Sequence, residues 1–291
     1  MADYMEEHDI FINPYIASNG SIDTLKRLKS RSNAALGMMQ VDVIEYIING
    51  KDKELKNTLK KISLITYLHD ETVHFFARKN SGINSIDDLD SKKVIIGSPG
   101  SGTNITARNI IDSFNKSNPD NPVKPDYLEP NISMRYNIAS LVKGDADAFF
   151  YVSGKPIPFV EKNANYFKSD DGVHLVKIDD KDLVSKYYKP DTITASDYSF
   201  LEGGGKVETL KVKALLVAYD FSKKIGDKER DDCYKKRCED IRIISKILKN
   251  GGIDEIRTTG HKQWENVKFT NTLNPNIDEI LREHLAENNC Q

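Results

Sequence analysis

One stretch decides the fold of this chain: Val94-Ile95-Ile96-Gly97-Ser98-Pro99-Gly100-Ser101-Gly102-Thr103-Asn104-Ile105-Thr106-Ala107-Arg108. Its first three residues are β-branched and apolar, which predicts a short buried strand. The small residues that follow are typical of a turn in which the backbone approaches another group closely. Ala107, Ile110, Ile111 and Phe114 then recur at the spacing of one helix face. The stretch therefore predicts a strand, a glycine-rich turn and a helix, with Ser101 or Thr103 as the N-cap.

A helix N-terminus exposes free N–H groups and the positive end of the helix dipole, so an anion is the expected guest of this turn. A nucleotide P-loop needs Lys and then Ser or Thr after its last glycine, where this chain has Thr103-Asn104. The dinucleotide fingerprint G-x-G-x-x-G is not matched either. Two interpretations remain from the residues. The turn either holds a small carboxylate through N–H and hydroxyl groups, or it is a capped helix end that merely needs glycine.

Length and charge limit the class of protein. A chain of 291 residues can form two domains, or one large domain, with a full core. The 42 Lys and Arg residues against 44 Asp and Glu give a net charge of −2, which argues against a general nucleic-acid-binding surface. No apolar run approaches the length of about 18 residues that a membrane-spanning helix needs.

Apolar periodicity predicts alternating strands and helices. Strands are expected at 9–17, 34–39, 62–67, 72–78, 94–96, 127–128, 146–152, 173–178 and 212–218. Helices are expected from Ser21, which would be the cap, to Leu28, and at 41–48, 85–89, 103–114, 134–142, 182–188, 227–250 and 277–285. Residues 192–206 read as irregular. The alternation predicts an α/β protein with mostly parallel sheets and flanking helices.

Polar or small residues follow four of these strands, at 18–21, 40–42, 98–103 and 153–156. Ligands of parallel sheets lie outside the carboxyl ends of the strands. We expect two lobes, residues 1–84 with 206–291 and residues 85–205, whose strand ends face each other across a cleft. The chain would cross between them twice, near 78–92 and near 192–211.

Several segments resemble one family. The run Gly97-Ser98-Pro99-Gly100-Ser101-Gly102-Thr103, with Thr106-Ala107-Arg108 after it, resembles the signature of the TAXI family. These are the extracytoplasmic solute receptors of TRAP (tripartite ATP-independent periplasmic) transporters. Similar segments stand in the same order at Asn19-Gly20-Ser21, 35–43, 73–75, 144–150, 154–156 and 212–218. The resemblance spans roughly residues 16–220.

The resemblance implies a two-lobed periplasmic binding protein of type II architecture. Such a receptor binds a small organic anion, here glutamate or a related dicarboxylate, between its lobes and delivers it to a TRAP permease in the membrane. Hinge closure follows from the tighter binding of solute to the closed state. The expected ligand-binding residues are Gly20, Ser21, Gln40, Ser98, Gly100, Ser101, Gly102, Thr103, Ser153, Gly154, Pro156 and Tyr198. For Tyr198, ligand contact and core packing are equally expected.

The same resemblance predicts a periplasmic or other extracytoplasmic location. The acidic N-terminus, from Met1 to Glu7, lacks the features of a signal peptide, so we expect the sequence to begin downstream of a leader and of the family's first β–α unit. Three cysteines are present, Cys233, Cys238 and Cys290. Free thiols are favoured over a bridge to Cys290, which would need an oxidising compartment.

The sequence contains no H-E-x-x-H, no G-x-S-x-G and no cluster of His and Cys ligands. His69 and His74 are expected to have a structural or surface role, Asp145 and Asp147 to be a solvated strand entry, and Trp264 to be a packing residue. The prediction is therefore a binding protein without catalytic residues, metal or cofactor. A ligand-sensing regulatory effector domain of the same architecture is the alternative. The absence of a DNA-binding helix pair and of a membrane span counts against it.

Overall fold

The computed structural model of this chain describes residues 18–30, 35–128, 130, 133–183, 187–221, 228–259, 262–265, 267–269 and 285. The helices are α1 (Ser21–Ser30), α2 (Val41–Asn49), α3 (Lys53–Leu59), α4 (Gly102–Ser117), α5 (Met134–Lys143), α6 (Pro158–Lys162), α7 (Asn165–Lys168), α8 (Lys228–Ile247) and α9 (Ile253–Thr259). The strands are β1 (Leu36–Gln40), β2 (Ile62–Arg78), β3 (Lys93–Ile95), β4 (Asp126–Leu128), β5 (Ala148–Ser153), β6 (Val173–Leu175), β7 (Tyr188–Thr194) and β8 (Lys206–Tyr219). The predicted strand at 9–17 and almost all of the predicted helix at 277–285 lie outside the described residues.

The chain divides into two compact units. Unit 1 comprises Met1–His69 and Lys213–Gln291, and unit 2 comprises Asp70–Val212. The chain passes from one unit to the other inside β2 and returns inside β8. The predicted boundaries at 84/85 and 205/206 are therefore displaced, because a composition-based prediction looks for crossings in loops and these crossings are inside long strands.

In unit 1, strand β1 pairs antiparallel with β8, from Leu36 opposite Ala218 to Gln40 opposite Ala214. Helix α1 packs on β1 through the face that the sequence predicted. Its residues Ile22, Leu25 and Leu28 are all buried. The core of this unit also contains Ile44, Ile47, Leu59, Ile62, Ile65, Leu215, Val217, Ile241, Ile244 and Leu248.

Two details of unit 1 differ from the prediction. Helix α8 ends at Ile247, and a wider turn at Leu248–Gly252 leads into α9, whereas the sequence predicted one helix that stops at Gly251-Gly252. Cys238 on α8 is disulfide-bonded and Cys233 is exposed and free, so the expectation of free thiols is wrong for Cys238.

In unit 2, strand β3 pairs parallel with both β4 and β5. Strand β5 also pairs antiparallel with β2, from Thr72 opposite Ser153 to Ala77 opposite Ala148. Strand β6 pairs antiparallel with β2, and β7 with β8. The α/β class with flanking helices is confirmed, and the parallel pairing that it implies is found around β3. The strands that run through both units, β2 and β8, add antiparallel pairs that the sequence did not suggest.

The core of unit 2 is aromatic. Phe75 and Phe150 stack with their ring centroids 4.3 Å apart, and Phe76 lies 5.9 Å from Phe149. Ile138 and Leu141 of α5, Val160 of α6 and Ile193 of β7 are buried in the same cluster as Phe76, Phe149 and Tyr198. The helix face predicted for 134–142 is therefore confirmed for Ile138 and Leu141, and Gly144 ends that helix with φ of 80°.

Two local predictions in unit 2 are wrong. The sequence predicted two separate strands at 62–67 and 72–78, but β2 is continuous from Ile62 to Arg78, and Asp70 forms an ion pair with Lys211 of β8 at 2.9 Å. The segment from Tyr188 was expected to be the end of a helix and an irregular loop, yet Tyr188–Thr194 is β7. Pro190 is tolerated because β7 has β8 as its one recorded partner among the described strands.

No helix among the described residues is both long enough and apolar enough to cross a membrane.

The packing of α1 on β1 gives a first prediction. A Cβ atom on Gly37 would lie 2.3 Å from the Thr24 Cγ2 methyl and 3.2 Å from Leu28 Cδ1. Gly37→Ala should therefore lower the free energy of unfolding by about 1–3 kcal/mol through overpacking. Urea denaturation followed by circular dichroism measures the change.

Thr24→Ser is the matched control, because it removes the clashing methyl and keeps the hydroxyl. In the Gly37→Ala background it should restore at least about half of the lost stability, since neighbouring substitutions couple. Equal losses with and without Thr24→Ser would contradict the packing described for this interface.

Candidate functional site

The turn that follows β3 has the conformation that its glycines predicted. Gly97 and Gly100 both have φ of 82°, a region that other residues rarely adopt. The Ser101 N–H donates to the Ser98 carbonyl at 2.9 Å and closes the turn before α4 begins at Gly102. A Cβ on Gly97 would lie 2.9 Å from Ser101 Oγ and 3.0 Å from Thr103 Cβ. Residues 97–103 are called the glycine turn below.

Ser101 is the N-cap of α4. Its Oγ accepts a hydrogen bond from the Asn104 N–H at 3.1 Å. The Asn104 side chain donates to the Gly97 carbonyl at 3.2 Å and fixes the start of the glycine turn. Of the two caps that the sequence allowed, Ser101 is therefore the one observed. The N–H groups of Gly102 and Thr103 belong to the first turn of the helix, where no intrahelical acceptor exists.

Thr103 connects the glycine turn to the next strand of the sheet. Its Oγ1 accepts a hydrogen bond from the Val152 N–H of β5 at 3.1 Å. Because β3 and β5 are parallel, their carboxyl ends lie at the same edge of the sheet. The predicted segments 98–103 and 153–156 are thus both at this edge of unit 2. The Thr103 hydroxyl keeps one proton with which it can donate.

The segment after β5 is held by an ion pair. The ammonium of Lys155 donates to Asp191 Oδ1 at 2.9 Å and also to the Thr192 carbonyl, and Asp197 Oδ2 lies 3.9 Å away. Asp191 and Asp197 thus neutralise Lys155, which stands between Gly154 and Pro156 in the sequence. Lys155 fixes the segment and is not a spare positive charge for an anionic solute.

Tyr198 is a core residue with a fully used hydroxyl. The side chain is 0% exposed. Its oxygen accepts a hydrogen bond from the Ile157 N–H at 2.9 Å and lies 2.8 Å from Nε2 of His74. Of the two roles expected for Tyr198, packing is the one that this geometry favours. The ligand-contact role is not supported.

The partners of His74 determine its protonation. Its Nδ1 lies 3.0 Å from the Thr72 carbonyl, which can only accept, so Nδ1 carries the proton. In the neutral ring Nε2 is then an acceptor, and the Tyr198 hydroxyl donates to it. Complete burial is the largest cause that lowers the pKa of His74 to about 4, and the nearby Lys155 ammonium acts in the same direction.

These contacts form two hydrogen-bonded paths from Thr72 to the backbone segment that contains Lys155 and Ile157. The Thr72 hydroxyl donates to Asp191 Oδ2 at 2.7 Å, and Asp191 accepts from Lys155 through its other oxygen. The second path starts at the Thr72 carbonyl, which accepts from His74. Tyr198 donates to His74 and accepts from the Ile157 N–H. We call this set the Thr72 network; its members are Thr72, His74, Lys155, Ile157, Asp191 and Tyr198.

Unit 1 brings together its own predicted site residues. The Gln40 N–H donates to Ser21 Oγ at 3.3 Å, and both side chains are 6% exposed. Ser21 is the first residue of α1, because the Gly20 carbonyl already accepts the Thr24 N–H, so its predicted role as the cap is wrong. Gly20 adjoins the pair with φ of 99°.

Other predicted features are structural. Asp147 pairs with Arg78 at 2.9 Å and accepts from the Lys93 N–H, and therefore is not a merely solvated residue, whereas Asp145 is exposed. The rings of His69 and Trp264 lie 5.2 Å apart, as a packing role requires. Among the residues that the structure describes, no group of three or more His, Cys, Asp or Glu side chains could hold a metal ion.

Sequence reasoning missed the partnership of His74 with Tyr198. The two residues are separated by 124 positions. No motif spacing could therefore indicate it. The available signal was a histidine between Val73 and Phe75-Phe76 in a strand, since a buried imidazole needs a partner.

A family model identifies the chain. The model of the NMT1-like family matches residues 3–224, which is more than half of the chain and includes the whole of unit 2. The chain belongs to the NMT1-like family. Both the glycine turn and the Thr72 network fall within the matched range.

Solved structures resemble this NMT1-like chain at low identity. A Xanthomonas citri protein bound to ATP is 12% identical, with 97% of this chain and 91% of that chain covered and a TM-score of 0.50. A Candida albicans gene product, described as defining a family with the generic periplasmic binding protein structural fold, is 11% identical, with 99% and 90% covered and a TM-score of 0.49. An ancestral arginine-binding protein bound to arginine is 14% identical, with 97% and 84% covered and a TM-score of 0.43. At these identities the likeness concerns the fold alone.

The buried imidazole gives a second prediction, on stability and pH. Because the folded pKa of His74 is about 4 and its ordinary value is 6.5, the unfolded chain binds a proton in this range that the folded chain does not. The free energy of unfolding should therefore fall as the pH is lowered, by about 2 kcal/mol between about pH 7 and about pH 4.5. Urea denaturation at several pH values measures this loss.

His74→Gln is the control variant, because glutamine is neutral and still offers an acceptor. It should remove most of this pH dependence. Burial, the largest cause, also lowers the pKa of His174, so that residue adds a smaller loss of the same sign, which His174→Gln measures. An unchanged slope in His74→Gln would show that His74 is not the group that titrates.

Proposed function

We propose that this NMT1-like chain is a solute-binding protein and that the glycine turn of unit 2 binds a carboxylate of its solute. The solute is a small organic anion, glutamate or a related dicarboxylate. The observation that carries the proposal is the glycine turn at the carboxyl edge of β3, capped by Ser101 and joined to β5 by Thr103. This arrangement directs first-turn N–H groups and a hydroxyl to the place where ligands of α/β proteins bind.

The cations near the glycine turn already have partners, which favours recognition of the solute carboxylate by N–H and hydroxyl groups over an ion pair. The Lys155 ammonium is neutralised by Asp191 and Asp197, and the Arg108 guanidinium lies 4.5 Å over the Tyr127 ring. Backbone N–H groups stabilise a carboxylate through charge-assisted hydrogen bonds without a full positive charge. Ser98, Gly100, Gly102, Ser153, Gly154 and Pro156 are the other proposed residues of this site. In unit 1, Gly20, Ser21 and Gln40 are a second proposed set.

The finer assignment is also a proposal. The sequence around 97–108 supports a TAXI-type receptor that delivers its solute to a TRAP permease outside the cytoplasm. The disulfide of Cys238 suits an oxidising compartment. A binding protein of this kind captures and releases its solute without turnover.

A ligand panel tests the proposal. Purified chain is melted with amino acids, dicarboxylates and neutral sugars, each at millimolar concentration. A bound solute stabilises the folded state by about 2.7 kcal/mol when its concentration is about a hundred times its Kd. We expect a carboxylate class to raise the midpoint and the sugars to leave it unchanged. A panel without any shift would contradict the proposed function.

Variants of Thr103 and Ser101 then locate the site. A hydrogen bond to a charged group contributes about 1.5–3 kcal/mol, so Thr103→Val should weaken solute binding about tenfold or more, measured by titration calorimetry. Thr103→Ser keeps the hydroxyl and should retain most of the affinity. Ser101→Ala removes the cap and should lower the free energy of unfolding by about 0.5–2 kcal/mol. If both Thr103→Val and Ser101→Ala lose stability and neither loses affinity, the turn is only a capped helix end.

A further inference from the structure

We propose that Tyr198 and His74 are positioning residues for solute binding. They fix the backbone of Lys155, Pro156 and Ile157, and through it Ser153 and Gly154 of the proposed site, without touching the solute. The inference rests on the proposed function of unit 2. It assigns a binding role to two buried side chains that lie outside the glycine turn.

The backbone after β5 is held through one donor group. Pro156 has no N–H, so Ile157 supplies the first backbone donor after Lys155. Ile157 is buried, and its N–H donates to the Tyr198 hydroxyl at 2.9 Å. A buried N–H that loses its acceptor has no water to replace it, so the local conformation is destabilised. The segment therefore depends on the position of one phenolic oxygen.

The hydrogen bonds between Thr72, His74 and Tyr198 have one direction. The Thr72 carbonyl requires the proton of His74 on Nδ1, so Nε2 accepts from the Tyr198 hydroxyl. This direction leaves the lone pairs of the Tyr198 oxygen for the Ile157 N–H. A doubly protonated His74 would instead donate to the Tyr198 oxygen, and the phenolic proton would lose its acceptor.

Charged, polar and aromatic groups face His74. They are the Lys155 ammonium, the Asp191 carboxylate, the carbonyls of Thr72 and Tyr151, and the rings of Phe76 and Tyr198. Asp197 and Glu161 act on the Tyr198 hydroxyl, and burial is the largest cause that raises the pKa of Tyr198. The phenol is therefore a permanent donor at neutral pH, and His74 is its acceptor.

A packing role is the competing explanation, because Tyr198 also stacks on Phe200 with ring centroids 5.3 Å apart. Three variants separate the two roles. Tyr198→Phe keeps the ring and removes the oxygen. His74→Gln and His74→Leu are a matched pair of similar size, in which only glutamine can accept from Tyr198. His174→Leu, at a histidine of β6 that contacts the Ile83 carbonyl, is the control.

The experiment is titration calorimetry with the carboxylate that stabilises the wild type in the panel, at neutral pH, on variants with cooperative melting curves. We expect Tyr198→Phe and His74→Leu to weaken affinity about fivefold to tenfold, His74→Gln to stay within about twofold, and His174→Leu to be unchanged. The double variant Tyr198→Phe with His74→Leu should bind about as well as Tyr198→Phe alone, because both remove one hydrogen-bond path. Amide hydrogen exchange at Ile157 should accelerate in Tyr198→Phe, which a packing role of the ring would not produce.

Three results would overturn the inference: unchanged affinity in Tyr198→Phe, equal affinity in His74→Gln and His74→Leu, or unchanged exchange at Ile157. If His74→Leu does not fold, Tyr198→Phe still decides between the two roles because it changes one buried atom. A wild type that binds no carboxylate would instead overturn the proposed function, and with it this inference. A wild type that binds while Tyr198→Phe matches it would overturn the positioning role alone.

Discussion

Both paths that hold the backbone after β5 end on Thr72. Its hydroxyl donates to Asp191, which pairs with Lys155. Its carbonyl accepts from His74, which accepts from the Tyr198 hydroxyl, and the Tyr198 oxygen accepts from the Ile157 N–H. A residue in the middle of a strand can serve both paths because β2 pairs with β5 at this point, with Thr72 opposite Ser153. The pairing of β2 with β5 thus positions Ser153, and the Thr72 network positions the backbone at 155–157 that follows it. The position of the proposed site residues 153–156 depends on this single strand position.

The Thr72 network requires a particular protonation state of each titratable member. It needs a neutral imidazole, a protonated phenol, an ammonium and a carboxylate, and each has a partner that suits that form. The charged pair, Lys155 with Asp191, is partly exposed, whereas the neutral pair, His74 with Tyr198, is buried. This division follows from the high cost of burying an unpaired charge, which a neutral hydrogen-bonded pair avoids. A second proton on His74 would place a charge in the buried pair and would therefore disturb the segment.

The sequence was sufficient for local features whose cause is local. The strand, turn and helix at 94–114, the helix ended by Gly144 and the buried face of α1 were predicted because glycine conformation, capping and apolar spacing act within a few residues. Features with a distant cause were not predicted. Asp70 in the continuous β2 pairs with the distant Lys211, and β7 forms by pairing with β8. The same holds for the candidate site: the glycine turn was visible in the sequence, and the partners of His74 and Lys155 were not.

The two halves of the proposed site differ in how firmly they are held. The glycine turn is tied to β5 by one hydrogen bond, from the Val152 N–H to Thr103, and its first-turn N–H groups are left for a solute. The backbone at 155–157 is tied by a network that contains an ion pair and three buried hydrogen bonds. A solute carboxylate would supply the acceptors that the glycine turn lacks, so binding should order the turn more than the segment. Since preorganised groups lose less entropy on binding, the firmly held segment suits selection of solute shape, and the turn suits recognition of charge.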